Sequence, residues 1–274
     1  MTIDTHSHVN FNAYKDDSSK VISRSLSNDI WMINVGSQYT TSKRAVEMAE
    51  KHKEGIYAAI GLHPIHLETG LVKIKDDPEE IQFNTKEESF DYNKYKELAK
   101  SPKVVAIGEV GFDYYWKPKG TQKKENFKRK QAETLSLQVD LAKELDLPVI
   151  FHCRMAHEDL MKFLKERKDS DLKGVLHCYT GNWEQTEEYL KLGLYFGFNG
   201  LIFKFDSEEV IKNLPLDRIV LETDCPYLTP PQKEGRNEPL YVKYVAGKIA
   251  NIRGINEDKL IEETTKNAKK LFSI

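Results

Sequence analysis

The sequence predicts an α/β fold and, within that class, a (β/α)8 barrel of the TIM type. Short apolar segments of strand length alternate with amphipathic segments of helix length along all 274 residues, which is typical of parallel βα units. Eight strand candidates occur, the number in such a barrel, and one barrel takes roughly 250 residues. A doubly wound open sheet remains the alternative topology, because periodicity alone does not show that a sheet closes.

The strand candidates are runs of apolar and β-branched residues that end at polar or turn-forming residues. In chain order they are segments 3–8, 30–35, 56–60, 104–109, 148–152, 174–177, 194–198 and 218–222. The clearest helix candidate is 123–145, where apolar residues recur at helical spacing. These residues are Phe127, Ala132, Leu135, Val139, Ala142 and Leu145. Two further helical segments, 239–251 and 256–272, follow the last strand candidate.

We expect one domain over residues 1–274, since no internal repeat or Gly/Ser-rich linker divides the sequence. Segment 68–92 interrupts the alternation after the third strand candidate. It contains the acidic run Asp-Asp-Pro-Glu-Glu at 76–80, and such charge clusters are usually solvated. The segment is therefore predicted to be a surface insertion.

The overall composition excludes several classes of protein. The net charge is −2, with 41 basic and 43 acidic residues, whereas proteins that coat duplex DNA are usually basic. This balance still allows an enzyme that binds one strand end in a pocket. No apolar run approaches the roughly 18 residues of a membrane span, and the N-terminal segment has no signal-peptide pattern. Three cysteines, an odd number, indicate no disulfide framework, so a reducing cytoplasm is expected.

Histidines end the first strand candidate, in the sequence Asp4-Thr5-His6-Ser7-His8. Residues two apart in a strand point to the same face, so the imidazoles of His6 and His8 are expected to project together into the barrel mouth. Histidine pairs also occur on exposed strands, so this pair alone is a moderate indication of a metal site.

Other strand candidates end in polar groups as well. These groups are Glu109, His152, His177 and, just beyond the last strand candidate, Asp224. The C-terminal ends of barrel strands meet at one face, where active sites of such barrels assemble. Buried imidazoles and carboxylates are costly without a partner, and a divalent cation such as zinc, manganese or magnesium can partner them all.

The pattern predicts two divalent ions. The side chains expected around the first ion are His6, His8 and Asp224, those around the second are His152 and His177, and Glu109 is expected to bridge both. We predict that Glu109 and Asp224 are also catalytic, with Asp224 as general base for the attacking water. Glu222, two residues before Asp224, is predicted to accept a hydrogen bond beneath the site.

Each of these residues has an alternative explanation when it is considered alone. A single buried histidine such as His152 is more often a hydrogen-bonded core residue, and Asp224 before a Cys-Pro pair has the character of a turn residue. All alternatives would have to hold together to exclude the metal site. The cysteines that follow three of the candidate ligands, Cys153, Cys178 and Cys225, are interpreted as packing residues.

With these motifs the sequence resembles the TatD family of metal-dependent hydrolases, within the amidohydrolase-like barrels. The resemblance covers nearly the whole chain, through segments 3–8, 61–64, 108–115, 148–154, 177–181, 221–230 and 236–239 and Asn267. It implies the same six ligands and a DNase activity, commonly that of a 3′-to-5′ exonuclease that favours single strands. Phe112 and Tyr179-Thr180 depart from the family pattern, which affects the expected substrate preference and no ligand.

Four residues near the expected mouth are candidates for substrate binding: His63, Tyr114, Tyr115 and Arg154. His63 is expected to contact a phosphate or a metal-bound water, with a role in ordering its own loop as the alternative. Arg154 is expected to bind a phosphate or to pair with Asp113. The basic and aromatic segment 116–130 has the character of a track for a nucleic-acid strand, although charge runs are usually solvated helix faces.

The leading hypothesis is therefore a metal-dependent DNase, a 3′-to-5′ exonuclease that acts on the end of single-stranded DNA or another nucleic acid. No membrane association and no obligate protein partner are predicted. A second hypothesis keeps the metals but assigns an amide or ester bond, as in a D-aminoacyl-tRNA deacylase, because one barrel site serves many substrates. A third, a non-enzymatic scaffold, requires the ligand set to have no function.

Overall fold

The computed structural model describes residues 1–70, 86–167 and 172–274. Eight strands form one parallel sheet in chain order. The strands are β1 (Thr2–Ser7), β2 (Ile30–Val35), β3 (Ile56–Ile60), β4 (Val104–Asp113), β5 (Val149–Arg154), β6 (Gly174–Leu176), β7 (Tyr195–Phe198) and β8 (Ile219–Leu221). Because all neighbouring strands are parallel, their C-terminal ends lie at one face.

The sheet closes between its first and last strands. Ser7 forms a parallel bridge with Cys225, the amide of His8 donates to the Cys225 carbonyl at 2.9 Å, and the amide of Asp224 donates to the His6 carbonyl at 2.9 Å. An open sheet would leave these two edges apart. The predicted (β/α)8 barrel is therefore confirmed, and the doubly wound sheet is excluded.

Nine α-helices lie within the residues that the structure describes. They are α1 (Ser18–Leu26), α2 (Tyr39–Ala49), α3 (Tyr92–Leu98), α4 (Thr121–Glu144), α5 (His157–Arg167), α6 (Trp183–Lys191), α7 (Glu208–Asn213), α8 (Val242–Arg253) and α9 (Glu257–Phe272). The two helices that follow β8 match the predicted C-terminal pair. None of the nine combines the length and the apolar character that a bilayer-spanning helix needs.

The strand that differs most from its prediction is β4, which continues to Asp113 instead of ending at Glu109. Its added residues pair with β5 through Gly111 opposite His152 and Asp113 opposite Arg154. The extension carries the chain beyond the barrel and places Asp113 beside the site.

Two buried apolar clusters alternate along the strands, as expected for a barrel with a filled interior. One cluster contains Ile150, Val175 and Val220. These residues lie two positions before His152, His177 and Glu222, so this cluster lies on the strand face that carries the site. The other contains residues such as Phe151 and Leu176 and packs between strands and helices. The interior apolar layers thus form the floor beneath the polar strand ends.

Helix α4 buries two glutamines within its apolar stripe. The predicted stripe included Ala132 and Leu145, which are only half-buried, whereas Gln131 and Gln138 are fully buried. The Gln138 amide receives a hydrogen bond from the Leu62 backbone N–H at 2.8 Å and donates to the Leu62 carbonyl at 3.1 Å. It thereby fixes the residue before His63 to the helix layer.

We expect that Gln138→Met lowers the free energy of unfolding by about 2–4 kcal/mol, because methionine fills the space but leaves two buried backbone groups unpaired. Urea denaturation of purified protein measures this change. Gln122→Met is the control, since Gln122 is exposed on the same helix and surface changes usually stay within about 0.5 kcal/mol. Equal stabilities of the two variants would contradict the assigned role of Gln138.

The predicted insertion at 68–92 falls only partly within the described residues, because 71–85 lie outside them. After that gap the chain is held against the barrel at Glu88. Its backbone N–H donates to the His66 carbonyl at 2.8 Å, and its carboxylate accepts from the Tyr39 N–H at 3.0 Å. The segment from Glu88 to Tyr92 therefore packs on the barrel and leads into α3.

Candidate metal centre

The imidazoles of His6 and His8 converge at the end of β1. Their Nε2 atoms lie 3.2 Å apart, and both rings are buried. The Nδ1 atom of His8 contacts the Val35 carbonyl at 2.8 Å, which fixes the ring so that Nε2 faces the barrel axis. The register with β2 shifts between Asp4 and Ser7, so the histidine pair lies in an irregular part of the strand, as bulges near active sites often do.

Glu109 lies at the centre of the cluster. The register of β4 against β5 shifts between Gly108 and Val110, so Glu109 is the additional residue of a bulge. Its carboxylate lies 3.4 Å from His6 Nε2 and 3.3 Å from His63 Nε2, and it also contacts His152 Nδ1. It also lies 3.6 Å from His177 Nε2, so one carboxylate contacts imidazoles from four strand ends, the arrangement expected of a bridging ligand.

His152 and His177 are each held by a carboxylate on the side away from Glu109. His152 Nε2 contacts Asp113 Oδ2 at 3.1 Å, and His177 Nδ1 contacts Glu222 Oε1 at 2.9 Å. Carboxylates that orient histidines in this way are typical of metal sites. Buried Glu222 also accepts hydrogen bonds from the Cys178 N–H at 2.8 Å and from Asn199 Nδ2 at 2.9 Å, as predicted for an acceptor beneath the site.

Asp224 faces the histidine pair from beyond β8. Its Oδ1 atom lies 3.3 Å from His8 Nε2 and 3.9 Å from both His6 Nε2 and His177 Nε2. The backbone of Asp224 is left-handed, with φ of 55°, a conformation that aspartate tolerates better than most residues. The hydrogen bond of its amide to the His6 carbonyl couples this turn directly to β1.

The ionisation of the cluster reflects opposed effects of burial and charge. Burial would lower the pKa of His152, but the carboxylates of Glu109 and Asp113 raise it to about 9. Burial also opposes the charge of His177, yet Glu222, Glu109 and Asp224 raise its pKa to about 10. The carboxylates of this cluster thus favour positive charge strongly, a requirement that a divalent cation meets.

The donor atoms fit divalent ions in type and spacing. Within the described residues, three overlapping sets of donor atoms each lie within 4.8 Å: His6 with His8 and Glu109, His6 with His177 and Asp224, and His63 with Glu109 and His152. Two ligands about 2.1 Å from one ion are roughly 3–3.5 Å apart, close to the 3.2–3.4 Å between several pairs here. Mixed imidazole and carboxylate donors suit zinc or manganese.

His63 belongs to this cluster of possible metal ligands, whereas the sequence predicted only a contact with a phosphate or a metal-bound water. The sequence placed His177 with His152 around the second ion and gave His63 to the substrate. In the structure His63 is grouped with His152 and Glu109, while His177 stacks on His6 at a ring distance of 3.5 Å. His63 Nδ1 also accepts from the Ile65 N–H at 3.1 Å, so the residue both orders its loop and reaches the site.

The predicted substrate residues lie around the mouth in different environments. Tyr115 is half exposed, and the guanidinium of exposed Arg154 lies 3.8 Å from its ring centroid. Tyr114 is half-buried. Its hydroxyl donates a hydrogen bond to the Asp159 carboxylate at 2.6 Å, and the Lys128 ammonium group lies over its ring. Tyr115 and Arg154 therefore form the open surface, whereas Tyr114 supports the basic helix beside it.

The comparisons with known proteins identify the family of this chain. The family model described as TatD related DNase matches residues 3–273. The chain belongs to the TatD family. The TatD resemblance inferred from the motifs is therefore confirmed, and the chain is a metal-dependent hydrolase of that family.

Relatives of this TatD chain match over nearly their whole lengths. An uncharacterized metal-dependent hydrolase of Bacillus subtilis, YabD, is 41% identical, with both chains covered to 100%. A protein of Erwinia tasmaniensis named 3′-5′ ssDNA/RNA exonuclease TatD is 32% identical, with 95% of each chain covered. The crystal structure of the TatD homologue YjjV of Escherichia coli superposes with a TM-score of 0.83 at 28% identity, covering 100% of this chain and 98% of that one.

Two TatD motifs outside the ligand set have structural roles here. Asn237 donates to the carbonyls of Thr223 at 3.0 Å and Tyr227 at 2.6 Å and so holds the turn that carries Asp224. Asn267 of α9 donates to the Leu216 and Ile219 carbonyls, both at 2.8 Å, at the start of β8. These residues fix both ends of the last strand.

The sequence alone did not indicate the contacts of Asp113 and Asp4. Asp113 was considered a partner for Arg154, but its carboxylate contacts His152. Buried Asp4 accepts from the Thr223 N–H at 2.9 Å and from the His6 N–H at 3.2 Å, so it joins β1 to the Asp224 turn. Asp4 lies two residues before His6, just as Glu222 lies two residues before Asp224. This spacing was the signal from which the supporting role of Asp4 could have been predicted.

Proposed function

We propose that this chain is a metal-dependent exonuclease that removes nucleotides from the 3′ end of single-stranded DNA. The observation that carries the proposal is that Asp113, which contacts His152 of the donor cluster, also binds the backbone of Tyr115, whose ring the Arg154 guanidinium covers. The name of the Erwinia relative, an ssDNA/RNA exonuclease, supports the same bond type. The three cysteines are unpaired, which is consistent with action in a reducing cytoplasm.

In this proposal the six ligands named from the sequence hold two divalent ions: His6, His8, Glu109, His152, His177 and Asp224. When bound, such ions polarise a phosphoryl oxygen and lower the pKa of water. Glu109 contacts imidazoles on both sides of the cluster, so it sets the separation of the two halves. The surrounding carboxylates Asp113 and Glu222 hold His152 and His177 in fixed orientations.

Asp224 is assigned as the general base that accepts the proton of the attacking water. Its side chain is partly open, at 16% exposure, whereas Glu109 is exposed by 6%, so Asp224 is the more accessible of the two carboxylates. The His177 and His8 imidazoles outweigh burial and lower the pKa of Asp224, so its carboxylate is ionised, the form that a general base requires.

Substrate binding is assigned to the mouth. The Arg154 guanidinium is exposed beside the site and suits a phosphate, while the free part of the Tyr115 ring offers a surface on which a terminal base stacks. His63, whose Nε2 lies 3.3 Å from the Glu109 carboxylate, is assigned to the scissile phosphate. This arrangement binds one strand end and needs no extended basic surface, in agreement with the net charge of −2.

The test is digestion of a 5′-labelled single-stranded oligonucleotide in Mg²⁺ or Mn²⁺. We expect a ladder that shortens from the 3′ end and is blocked by 3′-terminal phosphorothioates. Asp224→Asn protein serves as the control for contaminating nucleases. Digestion no greater than in that control would contradict the proposal. Release of amino acid from D-aminoacyl-tRNA without nucleotide products would instead assign the site to ester hydrolysis.

A further inference from the structure

Asp113, the last residue of β4, contacts two parts of the site with one carboxylate. It is buried at 1% exposure. Oδ2 contacts His152 Nε2 at 3.1 Å. Oδ1 accepts from the backbone N–H groups of Tyr115 at 2.8 Å and Trp116 at 2.9 Å. Asp113 is thus hydrogen-bonded both to a proposed ligand and to residues 114–116, here called the aromatic turn.

The contact with His152 selects one tautomer of its ring. An ionised carboxylate only accepts hydrogen bonds, so Nε2 of His152 carries a proton and donates it to Asp113. Nδ1 faces the Glu109 carboxylate, where a bound cation would take the place of a proton, so Nδ1 is the nitrogen left to ligate. A histidine ligates a metal through its unprotonated nitrogen, and the partner of the other nitrogen decides which one that is.

The contact with the aromatic turn sets the position of the Tyr115 ring. Two backbone N–H groups on one carboxylate oxygen form an Asx-type turn. Within this turn the rings of Tyr115 and Trp116 meet edge to face at 5.0 Å, and the Arg154 guanidinium covers Tyr115. The exposed surface of the mouth therefore depends on the same carboxylate as His152.

Helix α4 fixes the backbone of Asp113. The Asp113 N–H donates to Gln131 Oε1 at 2.8 Å, and Gln131 Nε2 donates to the Asp113 carbonyl at 3.1 Å. Because both backbone groups are bound, the carboxylate cannot move toward one partner without loss of the other. The two contacts of Asp113 are thus geometrically linked.

We infer that Asp113 is a positioning residue that sets the metal-binding tautomer of His152 and the conformation of the aromatic turn together. The importance of the turn for nucleic acid rests on the proposed function, whereas the effects on metal affinity and on the turn itself do not.

Asp113→Asn separates the two contacts. The two N–H donors of the turn require an oxygen, so the amide oxygen of the substituted side chain stays on the turn and its NH2 group faces His152. That NH2 group donates, so His152 must accept at Nε2 and carry its proton on Nδ1. We expect Zn²⁺ affinity to fall about 10–100-fold, with the turn unchanged. Asp113→Ala removes both contacts and is expected to weaken Zn²⁺ binding and disorder the turn.

Three measurements test these expectations without an activity assay. Calorimetric titration of metal-free protein with Zn²⁺ gives the affinity. Long-range ¹H–¹⁵N spectra of the Zn²⁺-loaded protein identify the protonated nitrogen of His152, expected at Nε2 in the wild type and lost from Nε2 in Asp113→Asn. Acrylamide quenching of Trp116, in a background with Trp31→Phe and Trp183→Phe, reports the order of the turn.

The matched control is Asp159→Asn, which removes a carboxylate that contacts Tyr114 but not His152. It should bind Zn²⁺ as the wild type does, which separates tautomer control from a general loss of negative charge. Wild-type Zn²⁺ affinity in Asp113→Asn, or unchanged Trp116 quenching in Asp113→Ala, would overturn the inference. If all three readouts behave as expected but the wild type degrades no single strand, the proposed function fails and the role of Asp113 stands.

Discussion

Replacement of Glu109 by glutamine is expected to reduce hydrolysis at least about a thousandfold and to abolish stabilisation by metal. Glu109 contacts His6, His63 and His152, so both halves of the cluster lose their shared anionic ligand. Ions in such sites contribute several kcal/mol to the transition state, and each 1.4 kcal/mol or so is a tenfold change in rate. The amide is isosteric, so the barrel should still fold.

The loss of metal is measurable apart from activity. A ligand at about 100 times its Kd stabilises a folded protein by about 2.7 kcal/mol, which corresponds to roughly 5–10 °C in Tm at this chain length. We expect this increase with Zn²⁺ or Mn²⁺ in the wild type and in Glu87→Gln, whose carboxylate pairs with Lys130 on the surface. A Glu109→Gln protein that retains two ions per chain and a wild-type rate would exclude the bridging role.

The sequence predicted the strand ends well because period-two alternation and the parallel fold act together. Once β5 and β6 are recognised, His152 and His177 must lie at the same face of the barrel. The structure brings all six proposed ligands into one cluster. For His152 and His177 no long-range information was needed, since each lies at the end of its own strand.

The finer geometry could not be predicted, because it depends on irregular backbone. Glu109 reaches the cluster from a bulge in β4, Asp224 has a left-handed backbone, and β4 continues to Asp113. A left-handed residue that is not glycine leaves a weak trace in a sequence, and the only local signal for the bulge was Gly108 directly before Glu109. The grouping of His63 with His152 has the same origin, since it depends on the loop after β3.

Buried polar residues on helices are a second feature that the apolar pattern did not include. Gln131 and Gln138 lie outside the predicted apolar stripe, yet each pairs with both backbone groups of one residue near the site. A glutamine amide can satisfy one donor and one acceptor at once, so such residues suit the junction between a helix and the irregular end of a strand. Their seven-residue separation, two helical turns on one face, is the signal that was available.

Asp224→Asn is expected to lower kcat on single-stranded DNA by about 10²–10⁴-fold, the usual contribution of a general base. Asparagine tolerates the left-handed conformation of this position and keeps the backbone hydrogen bond to His6, so the turn and the barrel are retained. The variant should therefore melt close to the wild type when both are metal-free. A rate within tenfold of the wild type would exclude Asp224 as the base.

The same variant can distinguish a proton acceptor from a ligand. Asp224 lies 3.3 Å from His8 Nε2, so its replacement is also expected to weaken binding of the first ion. If it served only as a ligand, saturating Mn²⁺ would refill the site and restore the rate. If its carboxylate accepts the proton of water, the rate stays low at every Mn²⁺ concentration, because the amide cannot take up that proton. Single-turnover rates over a Mn²⁺ titration decide between the two, and we expect a low plateau.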